Sequence, residues 1–386
     1  MTWNACKFLE SNENLKYALC DRFGRVPSTS QVREIIACLQ QGRLFYEAAA
    51  SAPLEIRPLQ LFYGMVGFAK ALICSYKFSS LATLPQTHGI KDTSASNSRI
   101  EDLRVKIGQK GIFQEFNNVI AELNRFCFFD DSNTPQALYI RSAKADQIAD
   151  IEMSLKELLS RIPKLESIYR NTFQEDANVD QISFYNPSNG NGYWDLRIED
   201  PKLFVDRESL REIVSRWRIK YQFLKKWSLV SADHCWGHSN ICFGNVSNAG
   251  IDEFGEDFLV GDGNRYEAKT KPYETSQERL ILSDSLPPLA GGYNSAFPYT
   301  VAPFNDLFIS EFSFQFLSLF LLSSLVRYRP KNWVHALTKA VYSEAPADDR
   351  CLALIETFLD LNSASIPSLV VEVLNPNEDK YTRRSV

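Results

Sequence analysis

The sequence predicts an α+β protein, with mostly helical N- and C-terminal lobes around a small antiparallel β region. Apolar residues keep helical spacing near both ends of the chain, and short alternating runs with glycine-containing turns lie between them. The 386 residues are 45% apolar and 23% charged, the balance of a folded chain long enough for more than one core. We therefore predict a helical lobe over residues 1–175, a hairpin-containing region over 176–300, and a helical lobe over 301–386 that packs back on the first.

Helix-start signals and apolar periodicity define the first lobe. Ser28 and Gln31 have the spacing of a capping box, in which two side chains satisfy the free N–H groups at a helix start. Pro58 suits a first helical turn, because its missing N–H is not needed there. The elements predicted here are helices over 29–50, after Pro58 and over 144–173, and a short strand over 103–107.

Turn signals between alternating runs define the β region. Two Asn-Gly pairs lie within residues 187–192 and together predict one hairpin. A GDGN turn at residues 261–264 predicts a second hairpin. The elements predicted over the rest of the chain are strands around Ile182–Phe184 and Trp194–Ile198, a helix over 206–226, strands over 258–260 and 265–268, and helices from about Asn305 to Val326, from Pro330, and after Asp348-Asp349.

Composition excludes several classes of function. The formal charge of −5 gives no overall attraction to nucleic acid or to an anionic membrane, so such a contact needs a local basic patch. The N-terminus has no signal-peptide pattern, and the eight scattered cysteines fit reduced thiols, so we expect a cytoplasmic protein. The uncharged stretch Phe312–Val326 has fifteen residues, fewer than the about 20 that a membrane-spanning helix needs, so we interpret it as a buried core helix.

Several segments together resemble the YaaC-like family of bacterial proteins. They are Trp3 and Phe8, RPLQLFYGMVGFAKAL at Arg57–Leu72, His88-Gly89-Ile90, Gly111-x-Phe113, and LVRYRPKNW at Leu325–Trp333, in the order that the family has them. The resemblance spans most of the chain and is weakest at about residues 170–300. It implies no catalytic residue, because the family has no assigned reaction.

The segment around Arg329 is the first candidate for a functional site. Tyr328 and Trp333 have the spacing of a hydrophobic staple around a helix start, which is a purely structural interpretation. Arg327, Arg329 and Lys331 nevertheless crowd the positive end of the helix dipole. Free N–H groups at a helix start, together with cations, favour an anion such as a phosphate.

His335 adds a catalytic interpretation of the same segment. Arg329 and His335 are separated by five residues, which resembles the Arg-x(4–6)-His motif of HEPN-domain ribonucleases, all-helical proteins frequent in toxin and antiviral systems. The resemblance implies that Arg329 stabilises phosphate charge and His335 transfers a proton, in a metal-independent endoribonuclease of a bacterial defence system. RNA is then the partner, and no cofactor is expected. Pro330 departs from the motif, where a polar residue is usual.

A second polar set, in the first lobe, supports a different function. Tyr63 and Lys70 share one helix face with Gly67 between them, which would let a ligand approach closely, and His88 follows in the next loop. In the alternative, Gly67 is a small-residue contact between helices and Lys70 extends to water. The anion-binding candidates are Tyr63, Lys70, His88, Arg327 and Lys331. The matching function is a non-catalytic module that binds a protein or a phosphate-bearing ligand, as a homodimer or with a partner protein of a defence system.

Two weaker patterns suggest metal sites. The first is His234, Cys235, His238 and Cys242, which lie within nine residues of one another. Thiolates and imidazoles are zinc ligands, but the paired spacing of structural zinc sites is missing, so a buried strand or loop is the alternative. The second is Asp257 with Glu267-x-Lys269, which resembles PD-(D/E)xK nucleases and is equally typical of a solvated hairpin face. We therefore expect no bound metal. From the net charge and the short apolar stretch described above, we also expect no membrane partner.

Overall fold

Two units make up the chain in this computed structural model. Unit one comprises Met1–Asn124, Arg141–Asn178 and Ile309–Val386, and unit two comprises Arg125–Ile140 and Val179–Phe308. The structure describes the backbone of residues 3–96, 98–123, 125–129, 135–139, 142–185, 193–270, 280, 289–290, 299–337 and 349–375, and their side chains except at 123, 125–129, 135–139, 184–185, 289–290 and 335. Unit one therefore combines most of the predicted first and last lobes, while residues 125–140 join the β-rich middle region.

Helices dominate unit one, which makes the predicted α+β class correct. The helices, numbered along the chain, are α1 (Trp3–Leu9), α2 (Asn12–Phe23), α3 (Thr29–Ala50), α4 (Arg57–Lys77), α5 (Ile112–Leu123), α6 (Leu155–Leu159), α7 (Glu166–Phe173), α8 (Arg207–Lys220), α9 (Glu311–Tyr328), α10 (Pro330–Leu337) and α11 (Leu352–Leu374). All except α8 belong to unit one. Short 3-10 turns lie at Leu81–Thr83 and Gln222–Lys225, so the helix predicted over 206–226 ends early.

Local sequence signals explain how α3 and α4 form and meet. The predicted capping box is confirmed: Gln31 N–H donates to Ser28 Oγ at 3.2 Å, and Ser28 N–H donates to Gln31 Oε1 at 2.9 Å. The two helices cross where Gly67 faces Gly42, and a Cβ on Gly67 would lie only 2.9 Å from the Gly42 nitrogen. Gly67 thus serves the contact between helices, which is the structural alternative that the sequence left open.

The long apolar helix α9 is the centre of unit one. All its residues from Phe312 to Leu325 are buried, which confirms the predicted core helix. The Phe316 ring lies 5.7 Å from Phe62 of α4 and 5.5 Å from Phe113 of α5, between ring centres. Two other helices, α4 and α11, are long and apolar enough to span a membrane, but 72% and 56% of their apolar windows are buried within the protein. Core helices of soluble proteins show the same pattern.

A small antiparallel sheet borders the helices of unit one and corrects one prediction. Its strands, in spatial order, are β1 (Ile90–Asp92), β2 (Arg104–Ile107) and β5 (Glu152–Ser154). The continuous helix predicted over 144–173 is wrong, because residues 152–154 pair with β2, with Ser154 opposite Arg104. Ser154 then caps α6, so that helical spacing resumes only after the strand.

Unit two is built on one eight-stranded antiparallel sheet with α8 packed on a face of it. Its strands, in spatial order, are β10 (Leu259–Asp262), β11 (Arg265–Ala268), β8 (Trp227–Cys235), β9 (His238–Ser247), β7 (Asp195–Asp200), β6 (Val179–Tyr185), β13 (Tyr299–Val301) and β12 (Leu289–Ala290); β3 (Arg125–Phe129) and β4 (Pro135–Tyr139) form a separate pair. Both predicted hairpins are confirmed, with Ile182 opposite Ile198 and Leu259 opposite Ala268. Trp217 of α8 lies in the core beneath the sheet.

Candidate functional site

Arg329 lies where α9 ends and α10 begins, and its side chain is bonded to its own unit. Its Nη1 donates to Ala95 O at 2.9 Å, and its Nη2 donates to Ser94 O at 2.8 Å and to Asp92 Oδ1 at 3.2 Å. Only 16% of the side chain is exposed. The guanidinium therefore ties the end of α9 to the loop after β1, and both terminal nitrogens are already engaged.

The other members of the Arg329 segment separate into buried and exposed groups. Trp333 is buried, as predicted, and its Nε1 donates to Glu55 O at 3.0 Å. Tyr328 is 71% exposed and has no ring contact with Trp333 among the described residues, so the predicted staple does not form. Lys331 is exposed. The side chain of His335 lies outside the described residues.

The residues of the first weak metal pattern serve the β8–β9 hairpin. His234 Nε2 bonds to Phe204 O, and its Nδ1 lies 3.3 Å from Ser239 Oγ. Cys235 and His238 are exposed on either side of the turn, whereas Cys242 is buried. Within the described part of the chain, no group of three or more His, Cys, Asp or Glu residues could hold a metal ion.

The residues of the second weak metal pattern are occupied by ion pairs on a hairpin surface. Glu267 pairs with Arg265, and Lys269 Nζ lies 3.8 Å from Asp257 Oδ1. Asp257 is fully exposed. These pairs are what a solvated hairpin face provides, and they leave no converging carboxylates for a divalent ion.

His88 and Arg327 lie against the buried ring of Phe62, and Lys70 lies close enough to His88 to influence its charge. We call Lys70, His88 and Arg327 the cation cluster. The His88 ring centre lies 5.1 Å from that of Phe62, and the Arg327 guanidinium carbon lies 5.8 Å from the same centre. Lys70 lies two turns beyond Phe62 on α4 and is close enough to influence His88 electrostatically. Three separate parts of the sequence thus bring a cation or a titratable ring to one place.

The position of His88 is fixed by its backbone. Phe113 N–H, in the first turn of α5, donates to His88 O at 3.0 Å, and Gly108 N–H donates to Gly89 O at 2.8 Å. Gly89 has a φ of 78°, and its Cα touches Gly111 so closely that a Cβ on either residue would collide. The two glycines therefore let the His88 loop lie directly on the start of α5, which holds the imidazole against Phe62.

The electrostatics of the cation cluster are unbalanced. Burial, followed by the positive charges of Arg327 and Lys70, lowers the pKa of His88 below its ordinary value. Arg327 Nε and Nη2 donate to Ser323 O and Oγ at 3.2 and 3.3 Å. Among the described residues, no carboxylate lies within ion-pair distance of any member of the cation cluster, unlike Arg329, which is paired with Asp92.

Lys70 also lines a surface cavity of about 590 Å³ between α3, α4 and the segment that leads to His88. Its other lining residues are Ala37, Cys38, Gln41, Leu81, Ala82, Leu84, Pro85 and Gln86. Burial raises the pKa of the Cys38 thiol to about 12, so this thiol stays protonated at neutral pH and is not a nucleophile. The cavity therefore offers a binding surface that combines one cation and two glutamines with apolar residues.

The structure regroups the residues that the sequence suggested. Arg327 was grouped with Arg329 and Lys331 because they are neighbours in sequence, but its guanidinium lies beside Phe62 and close to His88. Phe62 carries no functional signal in the sequence, and it supplies the ring that His88 and Arg327 contact. No sequence signal links position 327 with positions 70 and 88, because the link depends on how α9 packs against α4.

Comparison with known proteins gives one match. A family model described as YaaC-like Protein matches residues 8–374, nearly the whole chain. A search of curated proteins gave no match, and a search of solved structures gave none either.

Proposed function

The chain belongs to the YaaC-like protein family, and from the cation cluster we propose that it binds a small phosphate-bearing ligand, as a binding module and not as a catalyst. The observation that carries the proposal is that Arg327 and His88 lie against Phe62, with Lys70 near His88, and that none of the three has a carboxylate partner among the described residues. Like charges held together cost free energy, and a bound anion offsets that cost. We place this protein in the cytoplasm, where the reduced thiols expected from the sequence are stable.

Phosphate suits this arrangement for three reasons. Lysine binds phosphate as a point charge, and arginine adds charge-assisted hydrogen bonds from its remaining Nη1, which has no partner among the described residues. His88 can accept a proton when an anion arrives, because the anion removes the repulsion that now lowers its pKa. The adjoining cavity of about 590 Å³ has the size of small-molecule sites.

The ribonuclease function predicted from Arg329 and His335, with its defence role, stays a prediction and has weaker support. To contact a phosphate, Arg329 would first have to release Ala95 O, Ser94 O and Asp92. Arg327 keeps its two bonds to Ser323 and still has Nη1 without a partner among the described residues, so it needs no such release.

Calorimetric titration of the whole chain with inorganic pyrophosphate tests the proposal. Lys70→Gln and Arg327→Gln should each weaken binding about 10- to 100-fold, because each removes one charge-assisted contact. The matched controls are Lys164→Gln and Arg170→Gln, which remove exposed cations before and on α7 of the same unit and should leave the affinity unchanged. The proposal is wrong if the unmodified protein does not bind pyrophosphate, or if the controls weaken binding as much as the cluster variants.

A further inference from the structure

An exposed tyrosine lies on the same helix face as the lysine of the cation cluster. Tyr63 and Lys70 are seven residues apart on α4, which places them about 10 Å from each other along the helix axis and on one side of it. Tyr63 has a neutral hydroxyl, so it adds no charge to an anion site. Its aromatic ring nevertheless lies within reach of any ligand that extends from the phosphate position along α4.

The Tyr63 ring is held in place and remains accessible. Its centre lies 5.8 Å from that of Phe45 on α3 and 6.0 Å from that of Phe62 on α4. It is 39% exposed, so part of the ring is open to a ligand. An aromatic ring that its neighbours already hold costs little conformational entropy when a planar partner stacks on it. Tyr63 therefore has the properties of a preorganised stacking platform.

Tyr328 is the competing ring, and it is less suitable. It is more exposed than Tyr63, but its ring centre lies 4.9 Å from the Arg327 guanidinium carbon. A stacked base would have to share Tyr328 with the guanidinium that binds phosphate. Among the described residues, Tyr328 has no aromatic neighbour that holds its ring, whereas Tyr63 has two.

We propose that the phosphate held by the cation cluster belongs to a nucleotide, and that the base of this nucleotide stacks on Tyr63; this rests on the proposed phosphate-binding function. An extended nucleoside diphosphate spans the separation between Tyr63 and Lys70, with its base at one end and its phosphates at the other. Stacking on an aromatic side chain is tolerant of base identity, because every base has a flat face. A free nucleotide and the end of a single RNA strand share this chemistry.

Titration with ADP and with pyrophosphate, which lacks a base, tests the inference in the full-length protein. ADP should bind about 5- to 100-fold more tightly than pyrophosphate, the range expected for one base on one aromatic ring. Tyr63→Leu keeps an apolar contact with Phe45 but removes the planar ring. It should abolish the preference for ADP while leaving pyrophosphate affinity unchanged, and Tyr63→Phe should retain the preference.

The control and the second ligand separate the remaining outcomes. Tyr17→Leu, at an exposed tyrosine of α2, should leave both affinities unchanged. A single-stranded tetranucleotide RNA is the second ligand. If this RNA binds and its binding depends on Tyr63, while ADP does not bind in this way, then the end of an RNA strand is the source of the nucleotide. If pyrophosphate binds but Tyr63→Leu leaves the preference of the protein for nucleotide intact, or if no preference exists, the nucleotide inference is wrong and phosphate binding stands. If pyrophosphate itself does not bind, the proposed function fails first.

Discussion

Replacing Arg329 by alanine should destabilise unit one by about 3 kcal/mol, and the structure supplies the reason. The guanidinium makes three hydrogen bonds, two to the carbonyl groups of Ser94 and Ala95 and one to the carboxylate of Asp92. Water can replace it at the carbonyl groups of this surface loop, so those bonds contribute about 0.5 kcal/mol each. The pair with Asp92 is mostly buried on both sides, and a charged hydrogen bond of this kind contributes about 2 kcal/mol.

Urea denaturation of the whole chain, with the midpoint and the slope both measured, gives this free energy. A double-mutant cycle with Asp92→Ala isolates the ion pair, and we expect a coupling energy of about 1–2 kcal/mol. Asp92 keeps hydrogen bonds from Ser324 Oγ and from Ser94 after Arg329 is lost, which limits the cost.

The matched control is Lys331→Ala, at an exposed cation two residues away, which should change stability by no more than about 0.5 kcal/mol. If Arg329→Ala is as neutral as this control and shows no coupling to Asp92, then the three hydrogen bonds do not hold Arg329. In that case Arg329 returns as the leading candidate for a ligand contact, and the choice of Arg327 over Arg329 loses its basis.

Two further predictions concern Trp333 and His88. Trp333→Ala should lower the free energy of unfolding by about 3–5 kcal/mol, because it empties a fully buried site. Trp333→Phe should lower it less, since this variant loses mainly the hydrogen bond to Glu55 O. Urea denaturation midpoints measure both changes. The pKa of His88 is lowered in the folded protein, so below about pH 6.5 the unfolded chain binds more protons than the folded protein does. The free energy of unfolding should therefore decrease as the pH falls below about 6.5. His88→Gln should flatten this part of a melting-temperature profile between pH 7.5 and 5.5, and an unchanged profile would mean that His88 does not titrate in this way.

Elements with local signals were predictable from the sequence. The capping box at Ser28 and Gln31 fixes where α3 begins, and Pro330 marks the start of α10, because these signals act between residues a few positions apart. The Asn-Gly turns likewise indicated the β6–β7 pairing. Predictions that depend on distant partners failed. Residues 152–154 have helical spacing in the sequence, yet they pair with β2, which no local rule reveals.

The candidate site was predictable only in part, for the same reason. Lys70 and His88 were singled out as a set because they are polar residues near one apolar helix. Arg327 was considered first with Arg329 and Lys331 because the three share a short sequence segment, but Arg327 and Arg329 contact different parts of the protein. Arg327 curls back along α9 toward Phe62, whereas Arg329 reaches the loop after β1. Side chains two positions apart leave a helix in different directions, and only the packing of that helix decides what each one meets.

Four of the five segments on which the family resemblance rests meet at the cation cluster. Arg57–Leu72 supplies Phe62, Tyr63 and Lys70, and His88-Gly89-Ile90 lies on Gly111-x-Phe113 through the bond from Phe113 N–H to His88 O. Leu325–Trp333 supplies Arg327 at the end of α9. Packing alone explains the buried members of these segments, such as Phe62 and the two touching glycines. It does not explain Lys70 and Arg327, which lie partly exposed beside a histidine whose protonation they oppose. The phosphate that we propose would account for both the exposure and the charge of these residues, which is why the cation cluster, and not the Arg329 segment, is the first place to test for a ligand.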